Sequence, residues 1–327
     1  MNLFQKYLVD EFKEDYEEGH LSRREALKLI AGVTGSTLMA ASILASCAPI
    51  EETFSPELPG TGPTVPPGEG PAASTEPAAQ TTPAEPGETA VPPGGEANVE
   101  AMEVEFQGEG ANLLGYLAYP AGEEQRPVIL VCHENRGLTP HIQDVTRRLA
   151  AAGYAALAVD LLSRQGGTAS LSQDEVPGAL GNTSPEQFVQ DFLSGWRYMQ
   201  AQPFAQADRV GMVGFCFGGG VTWLMATRMP ELLAAVPFYG PHPPVEQVPN
   251  IQAAVLAIYA ERDQRINQGI QPIEEAMREH NKIYEKVIYP DADHAFHNDT
   301  SPRYNPQAAQ DAWSRTLDWF DRYVNPA

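Results

Sequence analysis

Cys216 stands at the break in the run Gly211-Met212-Val213-Gly214-Phe215-Cys216-Phe217-Gly218-Gly219-Gly220, a short apolar strand that turns directly into a helix. The pattern Gly-x-Cys-x-Gly is that of a nucleophile elbow with a thiol in the place serine usually takes. Glycines at 214 and 218 suit a turn too tight for side chains on either flank. The amides that follow the cysteine then point to where a substrate oxygen would develop charge. No Gly-x-Ser-x-Gly occurs in the chain, so Cys216 has no serine rival.

A thiol nucleophile needs a base, and the base needs an orienting acid. The apolar run Val255 to Ala260 leads into Glu261-Arg262-Asp263, and Lys286 to Tyr289 leads into Pro290-Asp291-Ala292-Asp293-His294. Each residue alone has a structural reading: a small buried cysteine, a turn aspartate, a packed imidazole. Nucleophile, acid and histidine in that order, each just past the carboxyl end of a strand, give the chain order of the α/β-hydrolases.

The elbow Gly-Phe-Cys-Phe-Gly-Gly, the acid in Glu-Arg-Asp and the block Pro-Asp-Ala-Asp-His-Ala-Phe resemble the motifs of dienelactone hydrolases. So does Cys132-His133-Glu134-Asn135-Arg136-Gly137-Leu138, which follows another apolar strand. The resemblance runs from about residue 100 to 323. It implies a Cys216–Asp263–His294 triad that hydrolyses a small-molecule ester or lactone with no metal and no cofactor. It also implies a role for Glu134 in controlling the cysteine's protonation, and an oxyanion hole built from the backbone amides of Phe217 and Asn135. Arg164 matches one arginine of the family's substrate-carboxylate clamp. Where a second is expected, shortly after the histidine, this chain has His297-Asn298, and Arg303 is the nearest substitute. The helix that begins after Cys216, together with His294, is expected to favour the thiolate. Attack on the carbonyl then leaves a thioester, which water cleaves with His294 as base.

Upstream, Ser22-Arg23-Arg24-Glu25 precedes an uncharged stretch from Leu29 to Ala45 that ends in Leu44-Ala45-Ser46-Cys47. Paired arginines before a modest apolar run resemble a twin-arginine export signal. The ending resembles a bacterial lipobox, with Cys47 as the lipidated first residue of an exported protein anchored to the cell membrane. Residues 1–46 are therefore set aside from the fold as a signal. From Ala48 to Glu100 the chain carries twelve prolines and nine glutamates but no lysine, arginine or histidine. Such a composition cannot offset its ordering entropy by apolar burial, so residues 47–100 are expected to be a disordered tether.

The remainder, residues 101–327, suits one α/β domain. The formal charge of −22 argues against nucleic acid or an anionic membrane as a direct partner of that domain, and a monomer is expected. Three cysteines make no disulfide framework, and Cys132 is expected to pack as a small hydrophobe. Apolar runs at Val128–Val131 and Ala155–Val159 read as strands covered on both faces. Further strands are expected at Arg209–Val213, Ala234–Phe238, Val255–Tyr259 and Tyr284–Tyr289. Helices are expected over His141–Ala152, from Pro185 past Met199, over Ile273–His280 and over Ala308–Tyr323. This alternation predicts an α/β-hydrolase fold, a mostly parallel sheet with helices on both faces, whose crevice lies beyond the strands' carboxyl ends. Rival functions on the same residues are a broad carboxylesterase or thioesterase, a surface lipoprotein that binds a small molecule without catalysis, and a thiol redox protein. The last lacks any Cys-x-x-Cys.

Overall fold

The computed structural model describes residues 1–45 and 98–325; Cys47 and nearly all of the acidic, proline-rich segment lie outside the described residues. The first 45 residues form three helices, α1 (Leu3–Glu17), α2 (Arg23–Thr34) and α3 (Thr37–Ala45). Asn2 and Ser22 each close a capping box, with Gln5 and Glu25 as reciprocal partners, so both helix starts are written in the sequence. Gly35 at φ 68° ends α2 and splits the apolar stretch in two. Among the described residues, no helix is long and apolar enough to cross a membrane.

These helices differ from the expectation of a segment apart from the fold. Phe4, Tyr7, Leu8 and Phe12 recur at helical spacing on one face of α1 and are buried in the same core as the sheet, as are Ala26, Ile30 and Val33 of α2. An amphipathic stripe of this kind needs an apolar surface to cover, and the domain supplies one. The sequence carries the signal; setting the segment aside as a leader hid it.

The domain begins with an antiparallel hairpin, β1 (Val99–Gln107) and β2 (Asn112–Pro120). There follow β3 (Arg126–Cys132), α4 (Pro140–Ala151), β4 (Ala155–Asp160), α5 (Val176–Gly181), α6 (Pro185–Gln200) and β5 (Ala205–Phe215). The chain continues through α7 (Phe217–Arg228), β6 (Ala234–Phe238), β7 (Ala254–Ala260), α8 (Gln264–Asn267), α9 (Ile270–Glu279), β8 (Tyr284–Tyr289) and α10 (Pro306–Tyr323). The strands make one sheet in the order β1-β2-β4-β3-β5-β6-β7-β8. Pairings from β4 to β8 are parallel, while β1 and β2 add an antiparallel edge.

The central strands are buried along their whole length, which explains why they read as continuous apolar runs. Sequence order reverses between β3 and β5, and a crevice opens at such a point. Around it, β3 leads to Glu134 and Asn135, β5 to Cys216, β7 to Asp263 and β8 to His294.

Candidate active site

Backbone geometry makes the elbow. Cys216 has φ 58°, a conformation costly for a residue with a side chain and kept where the surroundings enforce it. A Cβ at 214 would lie 2.2 Å from the Gly218 carbonyl oxygen, and one at 218 would lie 2.5 Å from the carbonyl oxygens of Cys132 and His133. Both positions therefore require glycine, and the second brings the loop after β3 against the start of α7. The Cys216 amide donates to the Phe238 carbonyl at 3.1 Å, tying the turn to β6. Phe217 opens α7, whose first N–H groups have no acceptor within the helix.

Asp263 and His294 meet as the spacing expects. His294 Nδ1 lies 2.5 Å from Asp263 Oδ2, and Asp263 Oδ1 accepts the Ile266 amide at 3.2 Å. Burial works against charge on Asp263, but the His294 cation and their hydrogen bond hold its carboxyl below the usual range. Burial also opposes charge on His294, yet Asp263 keeps it protonated to well above the ordinary histidine range. With Nδ1 committed to Asp263, Nε2 is the nitrogen left to face the nucleophile.

The thiol differs from its expected state. Cys216 is 3% exposed, and its pKa is raised by burial first and by the Glu11 carboxylate second, against the pull of His294. The structure thus departs from the expectation that the α7 helix and His294 favour the thiolate. The cause lies on α1. Tyr7 Oη sits 3.1 Å from Cys216 Sγ and 3.4 Å from His294 Nε2, between thiol and imidazole. The Glu11 oxygens lie 3.8 and 3.9 Å from Sγ, and Asn135 Nδ2 donates to one of them at 2.9 Å. Arg265 stacks over the Tyr7 ring at 4.5 Å and donates to Glu14 at 3.0 Å. Sequence reasoning missed Tyr7, Glu11 and Arg265; the four-residue spacing of Tyr7 and Glu11 on an amphipathic helix was the signal available.

Glu134 is buried beside this group. Its carboxylate accepts Asn298 Nδ2 at 2.7 Å, and burial raises its pKa against that bond and the nearby cationic groups. Asn298, at the position where an arginine was expected, therefore has work: it partners Glu134. Arg164 does not reach the crevice, contrary to the expectation of a substrate contact. Its guanidinium donates to the Glu109 carbonyl at 2.8 Å and to Asp191 of α6 at 2.9 Å. The Asp191 side chain is 1% exposed, and a carboxylate so buried demands a cation. Arg303 does line the crevice, but Asp15 at 2.5 Å and His20 at 2.6 Å, both from the N-terminal segment, occupy its Nη2. Cys132 is fully buried and, like Cys216, free, in keeping with a packing role.

A cavity of about 640 Å³ opens beside α1, lined by Asp263, His294, Arg136, Arg262, Arg265 and Arg303 together with Glu11, Glu14 and Asp15. Among the described residues, two groups hold side chains that metals favour: Glu11, Cys216 and His294, all buried, and Asp15, Glu18 and His20 nearer the surface. In the first, the Tyr7 hydroxyl already bridges two of the three.

The sequence matches the family model described as the dienelactone hydrolase family over residues 113–324. A candidate carboxymethylenebutenolidase of Methylorubrum extorquens is 37% identical over 236 residues, covering 68% of this chain and 81% of that protein. One from Escherichia coli is 33% identical over 233 residues, 66% of this chain and 84% of its own. The crystal structure of a candidate dienelactone hydrolase from Klebsiella pneumoniae superposes with a TM-score of 0.65 at 31% identity, covering 69% of this chain and 99% of that one.

Proposed function

The chain belongs to the dienelactone hydrolase family, and from that premise we propose that it cleaves lactones or esters with Cys216 as nucleophile, His294 as base and Asp263 as the acid that orients it. The observation that carries the reading is the pairing of a strained elbow cysteine, φ 58°, with a histidine whose Nδ1 is held by a buried aspartate. In the form whose imidazole is neutral, Nε2 takes the thiol proton, and sulfur attacks the carbonyl carbon. The oxyanion is received by the amides of Phe217 and Asn135. As the tetrahedral intermediate collapses, the proton passes from Nε2 to the departing alkoxide and a thioester remains. Water, deprotonated by His294, then cleaves the thioester to a carboxylic acid and restores the thiol.

Glu134, uncharged more readily than an ordinary glutamate because it is buried, limits the negative charge next to the thiolate as it forms. The relatives named as carboxymethylenebutenolidases suggest a carboxylated lactone. Arginines line the cavity in support of an anionic substrate, although Arg262, Arg265 and Arg303 are paired there with carboxylates and Arg164 with Asp191. Activity of the purified chain against matched carboxylated and neutral lactones and activated esters tests the reading. Hydrolysis lost on Cys216→Ala supports it, and hydrolysis that survives that change contradicts it.

For the location, the reading is a twin-arginine leader and a lipid at Cys47. Support comes from the exposed Arg23 and Arg24 behind the Ser22 cap and from Leu44-Ala45-Ser46-Cys47. Mass spectrometry of native protein is expected to find a chain that begins at Cys47 with added acyl mass. A native membrane-bound chain that retains Met1 contradicts it.

A further inference from the structure

Helix α1 lies outside the matched family region, which begins at residue 113, yet it sets two side chains, Tyr7 and Glu11, against the proposed nucleophile. Its docking is built rather than incidental. Phe4, with no exposed surface, packs its ring against Phe188 and Phe217 at 5.3 and 5.0 Å. Gly220 admits that ring, since a Cβ there would stand 3.1 Å from it. Arg265 grips Tyr7 and Glu14, and Arg303 grips Asp15. On α2, Gly32 lies against Gly178 of α5, where a Cβ on Gly178 would come 3.1 Å from the Gly32 backbone. Asn182 donates to the Gly32 carbonyl at 3.0 Å.

The chemistry of what is presented decides the reading. Hydrolysis of an ester yields a carboxylate and an alcohol. Glu11 places a carboxylate with both oxygens nearly equidistant from Sγ, one of them held by Asn135. Tyr7 places a hydroxyl between Sγ and Nε2, where a leaving alkoxide would collect its proton. The cavity reaches His294 and Asp263 and is walled by Glu11, and Cys216 is not among its lining residues. A substrate carbonyl arriving through the cavity therefore meets Glu11 before sulfur, with the Tyr7 hydroxyl packed behind it on Sγ.

We propose that α1 is an internal product mimic, with Glu11 in the acyl subsite and Tyr7 in the leaving-group subsite, and that it keeps the hydrolase closed until the leader is displaced. The proposal deepens the hydrolytic reading and rests on Cys216 being the nucleophile. It also gives the expected cleavage before Cys47 a second consequence, since residues 1–46 would depart together and open the site.

The test uses the full chain, one variant remote from the chemistry and one at the two occluding residues. Gly32→Leu wedges α2 away from α5 without touching a catalytic side chain. Tyr7→Ala/Glu11→Ala is the companion variant, in case the wedge disturbs folding. Iodoacetamide labelling of Cys216, read by peptide mass with buried Cys132 as internal control, reports opening without requiring turnover. In the full chain Cys132 and Cys216 are expected to label slowly. Each variant is expected to speed Cys216 labelling by roughly tenfold or more while Cys132 stays unchanged, because thiol reactivity follows access and thiolate content. Hydrolysis of p-nitrophenyl acetate is expected to rise with it. Unchanged Cys216 labelling in both variants overturns the proposal. So does faster labelling with slower hydrolysis relative to an active parent, which makes Tyr7 and Glu11 parts of the catalytic apparatus. If labelling rises while neither parent nor variant hydrolyses any ester, the hydrolytic reading fails and the occlusion of Cys216 by α1 stands.

Discussion

Replacing Arg164 by alanine separates a structural ion pair from a substrate clamp. The partner, Asp191, has a side chain 1% exposed, and once Arg164 is gone Gln187 Nε2 at 2.9 Å still donates to it. Removing one member of a buried pair costs about 3–5 kcal/mol. The Arg164 side chain keeps 23% exposure and the glutamine remains, so the expected loss sits at the lower end, about 3 kcal/mol at pH 7. The sign with pH follows from Asp191, whose pKa burial raises despite the opposing bond and charge of Arg164. A carboxyl with a raised folded-state pKa gains from protonation in the fold, so it favours the native state at low pH and loses that contribution as pH rises through the folded value. Taking Arg164 away raises that value further. The variant's deficit is thus full at pH 7 and shrinks as pH falls into the range where Asp191 protonates. Urea unfolding at pH 7 and pH 5, with kcat/KM for a matched pair of carboxylated and neutral esters, is the assay. An unchanged unfolding midpoint with a KM rise confined to the carboxylated ester would refute the structural assignment and restore Arg164 to the substrate.

Other substitutions probe the remaining assignments. Asn298→Ala removes the donor to buried Glu134 and is expected to cost about 1–3 kcal/mol. Since Glu134 already has a raised pKa, the loss should be greatest at neutral and alkaline pH, where its carboxylate is charged, and smaller at acid pH. A deficit independent of pH contradicts that coupling. Asp263→Asn is expected to lower kcat less than His294→Ala does, as the orienting acid contributes less than the base it holds; the reverse ranking in steady-state kinetics would reassign the two. Because burial and Glu11 raise the Cys216 thiol, kcat/KM of the full chain should climb with pH into the alkaline range, and Glu11→Gln should move that climb to lower pH. A profile unmoved by the substitution argues that Glu11 does not act on the thiol.

Much of this architecture is legible in the chain because its signals are local. The buried parallel strands show as unbroken apolar runs, and Ala234–Phe238 and Tyr284–Tyr289 fall within the same limits in the structure. Glycines 214 and 218 announce the elbow because backbones approach there too closely for a Cβ. The β1–β2 hairpin escapes notice because β1 is largely exposed and follows directly on the acidic, proline-rich segment, although Met102 to Gln107 alternates apolar and polar residues. Arg164 shows where position after a strand misleads: the side chain turns to whichever buried charge needs it, and Asp191 lies 27 residues away in sequence. The state of Cys216 was illegible for the same reason. Its neighbours Tyr7 and Glu11 are more than two hundred residues upstream, on a segment whose sequence also reads as an export signal, and nothing in the elbow itself records their approach.

The most direct measurement is the mass of the enzyme after brief incubation with a slowly hydrolysed ester. The full chain and the Gly32→Leu variant are run side by side, so that a docked α1 does not hide the reaction. A single acyl group attached to Cys216, absent from Cys216→Ala and accumulating when His294 is replaced after acylation is forced with an activated thioester, is the predicted result. An adduct on another residue, or undiminished turnover by Cys216→Ala, would contradict the thiol mechanism at its centre.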